Sequence, residues 1–88
     1  MSERYWVRNE SASRTTWQYC EDRRSLYDGA RKTYTVGYII KKKNNHRCRV
    51  WLVYWYPVAW ERTYIGSLKD MKTHEAKAAA QLLIGAQI

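Results

Sequence analysis

Two runs of β-branched and aromatic residues, separated by a short basic segment, most strongly constrain what this chain can fold into. They occupy residues 33–40 and 47–56, and their Val, Ile, Thr, Tyr and Trp content is typical of β-strands. Residues 43–46 between them contain two asparagines, which tolerate the positive φ of a tight turn. Pro57 ends the second run, and residues 59–66 predict a third strand, so the pattern indicates a three-stranded meander.

The C-terminal segment has the pattern of an α-helix. Thr73 suits the N-cap, Glu75 suits the positive end of the helix dipole, and Gly85 predicts the C-terminal stop. Apolar side chains recur at intervals of three and four and form one face; they are Ala76, Ala79, Ala80, Leu83 and Ile84. Because most of this face is alanine, we expect the helix to lie close against one side of the sheet.

Residues 1–30 contain fewer structural signals. Residues 14–20 have a strand-like composition, and Asp28 with Gly29 indicates a turn. With 88 residues, the chain has room for one small domain. The sequence therefore predicts an α+β fold over residues 31–88, with a three-stranded antiparallel β-sheet packed against one C-terminal α-helix. We expect residues 1–30 to form an N-terminal arm with one strand at most.

A two-residue turn at Asn44 and Asn45 would fix how the first two strands pair. Opposed residue numbers then sum to about 89, and side chains alternate between the two faces. One face has Ile39 and Gly37 at its centre, and we assign it to the core beneath the helix. The other face alternates aromatic and basic side chains. Its pairs are Lys42 with Arg47, Ile40 with Arg49, Tyr38 with Trp51, Val36 with Val53, and Tyr34 with Trp55.

The positive charge is concentrated in one part of the chain. Residues 31–49 contain seven basic side chains and no acidic one, whereas residues 1–30 contain five of each. Solubility alone would be served by a spread of charge. Concentrated positive charge indicates a polyanionic partner, and nucleic acid is the commonest of these.

Basic and aromatic side chains on one sheet face suit nucleic-acid binding. Lys and Arg neutralise phosphates, Arg can donate to guanine edges in the major groove, and Trp or Tyr can pack on sugars and bases. The chain has five Trp and eight Tyr but no Phe, a bias typical of surfaces that bind. We predict contacts through Arg47, Arg49, Trp51 and Tyr38 on the sheet, with Lys41, Lys42 and Lys43 gripping the phosphate backbone at the hairpin.

The sequence shows no constellation that predicts an enzyme. It has no Ser-His-Asp order, paired-carboxylate cleft or Gly-rich phosphate loop. His46, His74, Cys20 and Cys48 lack metal-ligand spacing, so we expect no metal, no cofactor and reduced thiols. No apolar run reaches the length of a membrane span, and residues 1–10 lack the apolar core of a secretion signal. A cytoplasmic location without membrane contact is predicted.

The order of elements also resembles a known family. A strand ending at residues 51–53, a strand at residues 63–68 and a Glu-Ala-rich helix at residues 73–80 are similar to the three-stranded-sheet-plus-helix DNA-binding domains of plant ethylene-response factors and of phage and transposon integrase N-termini. The resemblance covers residues 34–84.

This resemblance implies that the sheet enters the major groove of double-stranded DNA. It matches Arg47, Arg49, Trp51 and Arg62 to sheet positions that commonly touch DNA in these families. It also favours a regulator of phage or mobile-element origin as the type of protein.

Three alternatives remain open at this point. The helix at residues 73–83 is also similar to the last helix of double-stranded-RNA-binding domains. A small inhibitor that binds an acidic surface of a larger host protein is a different class of function, with Trp51, Trp55 and Trp60 as its anchors. A homodimer through the aromatic face is the third.

Overall fold

The computed structural model describes residues 3–10, 15–42 and 50–87. They form a five-stranded antiparallel sheet in the order β1-β2-β3-β4-β5, followed by one helix. The elements are β1 (Glu3–Arg8), β2 (Thr16–Arg24), β3 (Arg31–Lys41), β4 (Val50–Val58), β5 (Glu61–Lys69) and α1 (Thr73–Gln87). The predicted α+β class with an antiparallel sheet and a C-terminal helix is confirmed, but the sheet has five strands where three were predicted.

The two additional strands come from the segment predicted as an arm. The strand-like residues 14–20 fall largely within β2, whereas β1 has no counterpart in the prediction. Trp6 of β1 pairs with Tyr19 of β2, and their ring centroids lie 4.8 Å apart. An edge strand pairs on one side only and often contains charged residues, so its sequence signal is weak.

The pairing of β3 with β4 differs from the predicted one. Ile39 faces Val53, and the Lys42 N–H donates to the Val50 carbonyl at 2.8 Å. Opposed residue numbers therefore sum to 92 rather than 89. The predicted turn at residues 43–46 lies outside the described residues.

This odd shift turns β4 over, because side chains alternate between faces along a strand. Trp51 and Val53 lie in the core beneath α1, at 1% and 0% exposure. The predicted placement of Trp51, Val53 and Trp55 on the open face is therefore wrong. The helix face of the sheet needs bulky apolar side chains to fill it, and Trp51 with Val53 fills it.

Helix α1 covers one face of β3, β4 and β5. Ala76, Ala80 and Ile84 are fully buried, as the periodicity predicts. A Cβ atom built on Gly37 would lie 2.7 Å from Cδ1 of Ile84 and 2.5 Å from the carbonyl oxygen of Tyr54. The missing side chain at Gly37 therefore permits the close approach of helix and sheet that the sequence predicts.

Both helix ends differ slightly from the prediction. The first helical hydrogen bond runs from the Ala76 N–H to the Lys72 carbonyl at 2.9 Å, which places Lys72 rather than Thr73 at the N-cap. Glu75 accepts the Lys72 N–H at 3.1 Å through Oε1, as in one half of a capping box. Gly85 does not end the helix, which continues to Gln87.

Pro57 does not end β4 either. The strand runs to Val58, which pairs with Glu61 across a two-residue turn. Its register with β5 is irregular between Trp55 and Val58, the interval that contains Pro57. Proline has no N–H for the ladder and occurs in strands at such irregularities.

Candidate nucleic-acid interface

The face of the sheet opposite α1, here called the open face, has four tyrosines at its centre. Tyr38 lies on β3, Tyr54 and Tyr56 on β4, and Tyr64 on β5. Strand alternation places them away from Ile39 and the other core residues. We call Tyr38, Tyr54, Tyr56 and Tyr64 the tyrosine cluster.

The rings of the tyrosine cluster pack against one another. Tyr38 and Tyr54 are stacked, with centroids 4.8 Å apart and planes 10° apart. Tyr56 tilts against Tyr38 at 5.9 Å, and Tyr64 meets Tyr54 edge-on at 5.6 Å. Tyr38 is only 7% exposed, whereas Tyr64 is 53% exposed. The cluster therefore offers ring edges and hydroxyl groups to solvent more than free ring faces.

The guanidinium group of Arg62 on β5 places a positive charge against the tyrosine cluster. Its Nη1 donates to the Tyr38 hydroxyl oxygen at 2.5 Å, and its Cζ lies 5.3 Å from the Tyr54 ring centroid. Burial raises the pKa of Tyr38, so this hydroxyl stays protonated through the physiological range. A guanidinium has five N–H donors, and Arg62 is exposed, so its remaining donors can meet an anion.

Two lysines extend the open face towards one end of the sheet. Lys42 follows Tyr38 by four residues and Lys69 follows Tyr64 by five, so they lie about 13 and 17 Å further along their strands. Both are exposed. Within the described part of the chain, neither lysine forms an ion pair, so their charges are available to a partner.

Charge is unevenly divided among the strands. Strands β3, β4 and β5 together contain five basic side chains and one acidic one. Strands β1 and β2 contain four basic and three acidic side chains. Several charged side chains of β1 and β2 form ion pairs with each other, as in the 3.3 Å contact from Arg4 Nε to Glu21 Oε1. The uncompensated positive charge of the sheet thus lies on the half that displays the tyrosine cluster.

The structure brings some of the predicted site residues together and separates others. Tyr38 and Arg62 are in direct contact on the open face. Lys41 and Lys42 are exposed at the end of β3; alternation turns the Lys41 side chain to the helix side and that of Lys42 to the open face. Lys43, Arg47 and Arg49 lie outside the described residues.

Trp51 is not available as a surface contact. It is 1% exposed, and its indole Nε1 donates to the Met71 carbonyl at 2.9 Å. The indole therefore anchors the segment that leads into α1. The predicted contact of Trp51 with a ligand on the open face is wrong, because Trp51 lies on the side of β4 that faces α1.

Tyr54, Tyr56 and Tyr64 belong to the candidate site but were not among the predicted contacts. Their signal was present in the sequence, since Tyr54 and Tyr56 alternate with Trp55 along one strand. The assumed register assigned the tyrosines of β4 to the core face. The observed register places the tyrosines of β4 on the open face and its tryptophans on the helix face. Tyr54 then lies between Tyr38 and Tyr64.

Comparisons with protein-family models, with curated proteins and with solved structures find no match for this chain. The resemblance to the ethylene-response-factor and integrase domains therefore stays a prediction. In the described ranges, no three His, Cys, Asp or Glu side chains are grouped so as to hold a metal ion. No helix among the described residues is long and apolar enough to cross a membrane.

Proposed function

We propose that this protein binds nucleic acid through the open face of β3, β4 and β5, with double-stranded DNA as the favoured ligand. One observation supports this most directly. Arg62 is held against the tyrosine cluster, and on the same face, which α1 leaves uncovered, Lys42 and Lys69 form no ion pair with any described residue. Such a face can neutralise phosphates and release their counterions, which supplies most of the affinity for DNA.

Packing within the tyrosine cluster favours a duplex over a single strand. Proteins that bind single strands stack successive bases on free aromatic faces. Here Tyr38 and Tyr54 already occupy one another's faces at 4.8 Å. A duplex needs no base stacking, because it meets the protein through phosphates and groove edges.

The dimensions of the open face also suit a groove. Three adjacent strands span about 10 Å between the outer two, whereas the major groove of DNA is about 12 Å wide. Strands β3 to β5 fit this width, and β1 and β2 extend beyond it. In this arrangement Arg62 faces the groove, while Lys42 and Lys69 lie towards the phosphate backbone.

A titration of the full chain against a random 20-base-pair DNA duplex and a matched RNA duplex tests the proposal. Fluorescence anisotropy at 50 and 200 mM NaCl gives both affinity and salt dependence. About three phosphate contacts predict roughly a 40-fold loss of affinity for DNA between these concentrations. Absence of binding to either duplex at 50 mM NaCl would refute the proposal. Tighter binding to the RNA duplex would make double-stranded RNA, rather than DNA, the ligand.

A matched pair of variants locates the surface. Lys42→Glu and Lys32→Glu make the same charge change at opposite ends of β3, and both positions are exposed. We expect Lys42→Glu to weaken DNA binding about tenfold and Lys32→Glu less than about twofold, since one phosphate contact is lost only in the first. Arg47→Ala/Arg49→Ala tests the contribution of the predicted basic segment outside the described residues. Equal effects of the two lysine variants would place the contact elsewhere.

A further inference from the structure

A cleft separates β3 from β4 at the end of the sheet remote from Lys42. The two strands pair from Lys41 opposite Trp51 to Gly37 opposite Trp55, and no pairs follow. Beyond this point they enclose a cavity of about 550 Å³. This volume is within the range of ligand-binding clefts.

The lining of the cleft shows that strand edges face it. Residues 33–36 of β3, residues 55–58 at the end of β4 and Ala59 of the following turn line it without interruption. A cavity on the face of a sheet would be lined by alternate residues, because successive side chains point to opposite sides. Here consecutive residues of β3 and of the β4 end line the cleft, so their backbones border it, whereas β1 and β2 contribute only Arg4, Glu21 and Arg23.

Backbone groups of β3 are therefore left without a strand partner on this side. Residues 31–35 pair with β2, and Val36 is the unpaired residue at the register shift; within the described sheet β4 supplies no partner to any of these residues. The N–H and C=O groups that point away from β2 face the cleft. An unpaired strand edge is a template for an added strand, and several protein families bind extended peptides in this way.

Two of the register irregularities in the sheet lie beside the cleft. The register of β2 with β3 shifts between Tyr19 and Cys20, opposite Val36, and the register of β4 with β5 shifts around Pro57. Such bulges bend a strand and increase its twist. We infer that these bulges separate the β2–β3 hairpin from the β4–β5 hairpin beyond Gly37, where the pairing of β3 with β4 ends.

The side chains at one wall of the cleft favour a negatively charged partner. Arg23 lies over the Tyr34 ring at 4.1 Å, with its Nη1 3.8 Å from Glu21 Oε2. Arg4 shares the same carboxylate through Oε1 at 3.3 Å. Two guanidinium groups thus share one carboxylate, and the Arg23 side chain remains 54% exposed. An excess positive charge therefore faces the cleft.

We propose that an extended, acidic peptide segment of a partner protein binds as an added strand in the cleft between β3 and β4. Its backbone pairs with residues 33–36, and an acidic side chain meets Arg23. The tips of the two hairpins flank the site with exposed apolar side chains, Leu26 and Tyr27 on one side and Trp60 on the other. Exposed Trp and Tyr side chains are suited to anchor a protein partner at the rim.

Selection from a phage-displayed library of random dodecapeptides on the immobilised full chain tests this proposal. We expect enriched peptides to alternate apolar and other residues and to contain Asp or Glu. Synthetic copies should bind Arg23→Glu at least about tenfold more weakly than the wild type, as expected for loss of a charge-assisted contact. Arg24→Glu is the matched control, because its side chain alternates to the open face, and it should change affinity less than about twofold.

Backbone pairing has its own signature. A strand edge pairs with only every second amide of the added strand. Peptides are therefore made in two phases, with N-methyl groups on either the odd-numbered or the even-numbered amides. One phase should lose binding and the other should keep it. In the ¹⁵N-labelled wild type, amide signals of residues 33–36 should shift on peptide addition, which does not depend on any variant. Failure to enrich peptides, equal binding by Arg23→Glu, or tolerance of both N-methylated phases would overturn the proposal. A saturating DNA duplex should leave peptide affinity unchanged, so this site and the DNA site are tested separately.

Discussion

The two faces of the sheet divide the aromatic residues largely by type. The helix face and its margin hold the tryptophans Trp6, Trp17, Trp51 and Trp55. The open face holds the tyrosines Tyr5, Tyr38, Tyr54, Tyr56 and Tyr64. Tyr19 is an exception, since it packs on Trp6 within the core. In this chain without Phe, tryptophan forms much of the aromatic core. Tyrosine lies mainly on the solvent-exposed open face, because its hydroxyl group needs water or another hydrogen-bond partner.

Polar atoms on the two faces are satisfied differently. On the open face, Arg62 donates to Tyr38, and Tyr5 donates to Asp22 Oδ1 at 2.8 Å. On the helix face, the Nε1 atoms of Trp6 and Trp17 are buried with no hydrogen-bond partner among the described residues. Leaving each N–H unpaired costs about 1–3 kcal/mol, which burial of a large indole offsets. High Trp content in this chain therefore indicates a core made of indoles rather than a binding surface.

The largest expected effect contrasts a core tryptophan with an exposed one. Trp51→Ala removes a fully buried indole and its bond to Met71, and should lower the free energy of unfolding by about 3–5 kcal/mol. Trp60→Ala, at a position 86% exposed, should change it by less than about 0.5 kcal/mol. Urea denaturation followed by circular dichroism measures both. Similar values for the two would contradict the division of faces.

Two glycine substitutions should have opposite signs. Gly37→Ala places a methyl group against Tyr54 and Ile84 and should cost about 1–3 kcal/mol, because helix and sheet must move apart. Gly85→Ala lies within α1 with nothing near its Cβ position, and should stabilise the protein by roughly 0.5–1 kcal/mol. Thermal and urea unfolding of both variants test this, and a neutral Gly37→Ala would show that α1 does not rest on that position.

Tyr38→Phe tests the open face. Removing the hydroxyl group deletes the bond from Arg62 and should cost about 1 kcal/mol at pH 7. Burial raises the pKa of Tyr38 in the folded protein, so its stabilising contribution is present below about pH 10 and is lost as pH rises through the folded-state pKa. The alkaline decline in stability should be shallower in Tyr38→Phe than in the wild type. Tyr27→Phe, at a position 98% exposed, should leave that decline unchanged.

The smallest effect concerns Asp22, which joins three strands on the open face. Its Oδ1 accepts the Thr33 hydroxyl at 2.7 Å and the Tyr5 hydroxyl at 2.8 Å, and these bonds hold its pKa below the usual range. The resulting stabilisation is present above about pH 4 and is lost as pH falls through the folded-state pKa. Asp22→Asn should flatten the acid limb of the stability profile, and Thr33→Val should remove part of the same slope. An unchanged acid limb in Asp22→Asn would show that these bonds do not persist in solution.

The sequence predicted the elements that have strong periodicity. The structure confirms the apolar face of α1 and the strands around residues 33–40 and 59–66. These elements were predictable because Ala76, Ala80 and Ile84 follow a helical period and the strand segments are rich in β-branched and aromatic residues. β1 was not predicted, since an edge strand of six residues with charges at three of them lacks a clear alternation.

The site was less predictable than the fold because it depends on register. Residues 50–53 form a continuous apolar run, so alternation does not show which side of β4 faces the core. Tyr38 and Arg62 were both proposed as contacts, but nothing in the sequence brings them together. Their contact requires Tyr54 of β4 to lie between them, and that follows only from the pairings of β4 with both neighbouring strands.

The order of the strands in the sheet has a consequence for biosynthesis. Each strand pairs with the next one in the chain, and the helix comes last. Neighbouring pairings close short loops, which favours rapid folding for a protein with this much sheet. At about 5–20 residues per second of translation, roughly 1–3 s separate the emergence of Lys69 from that of Ile84. During this interval the indole-rich face of the nascent sheet is exposed to solvent, because α1 has not yet emerged to cover it. Chaperone binding should be strongest then.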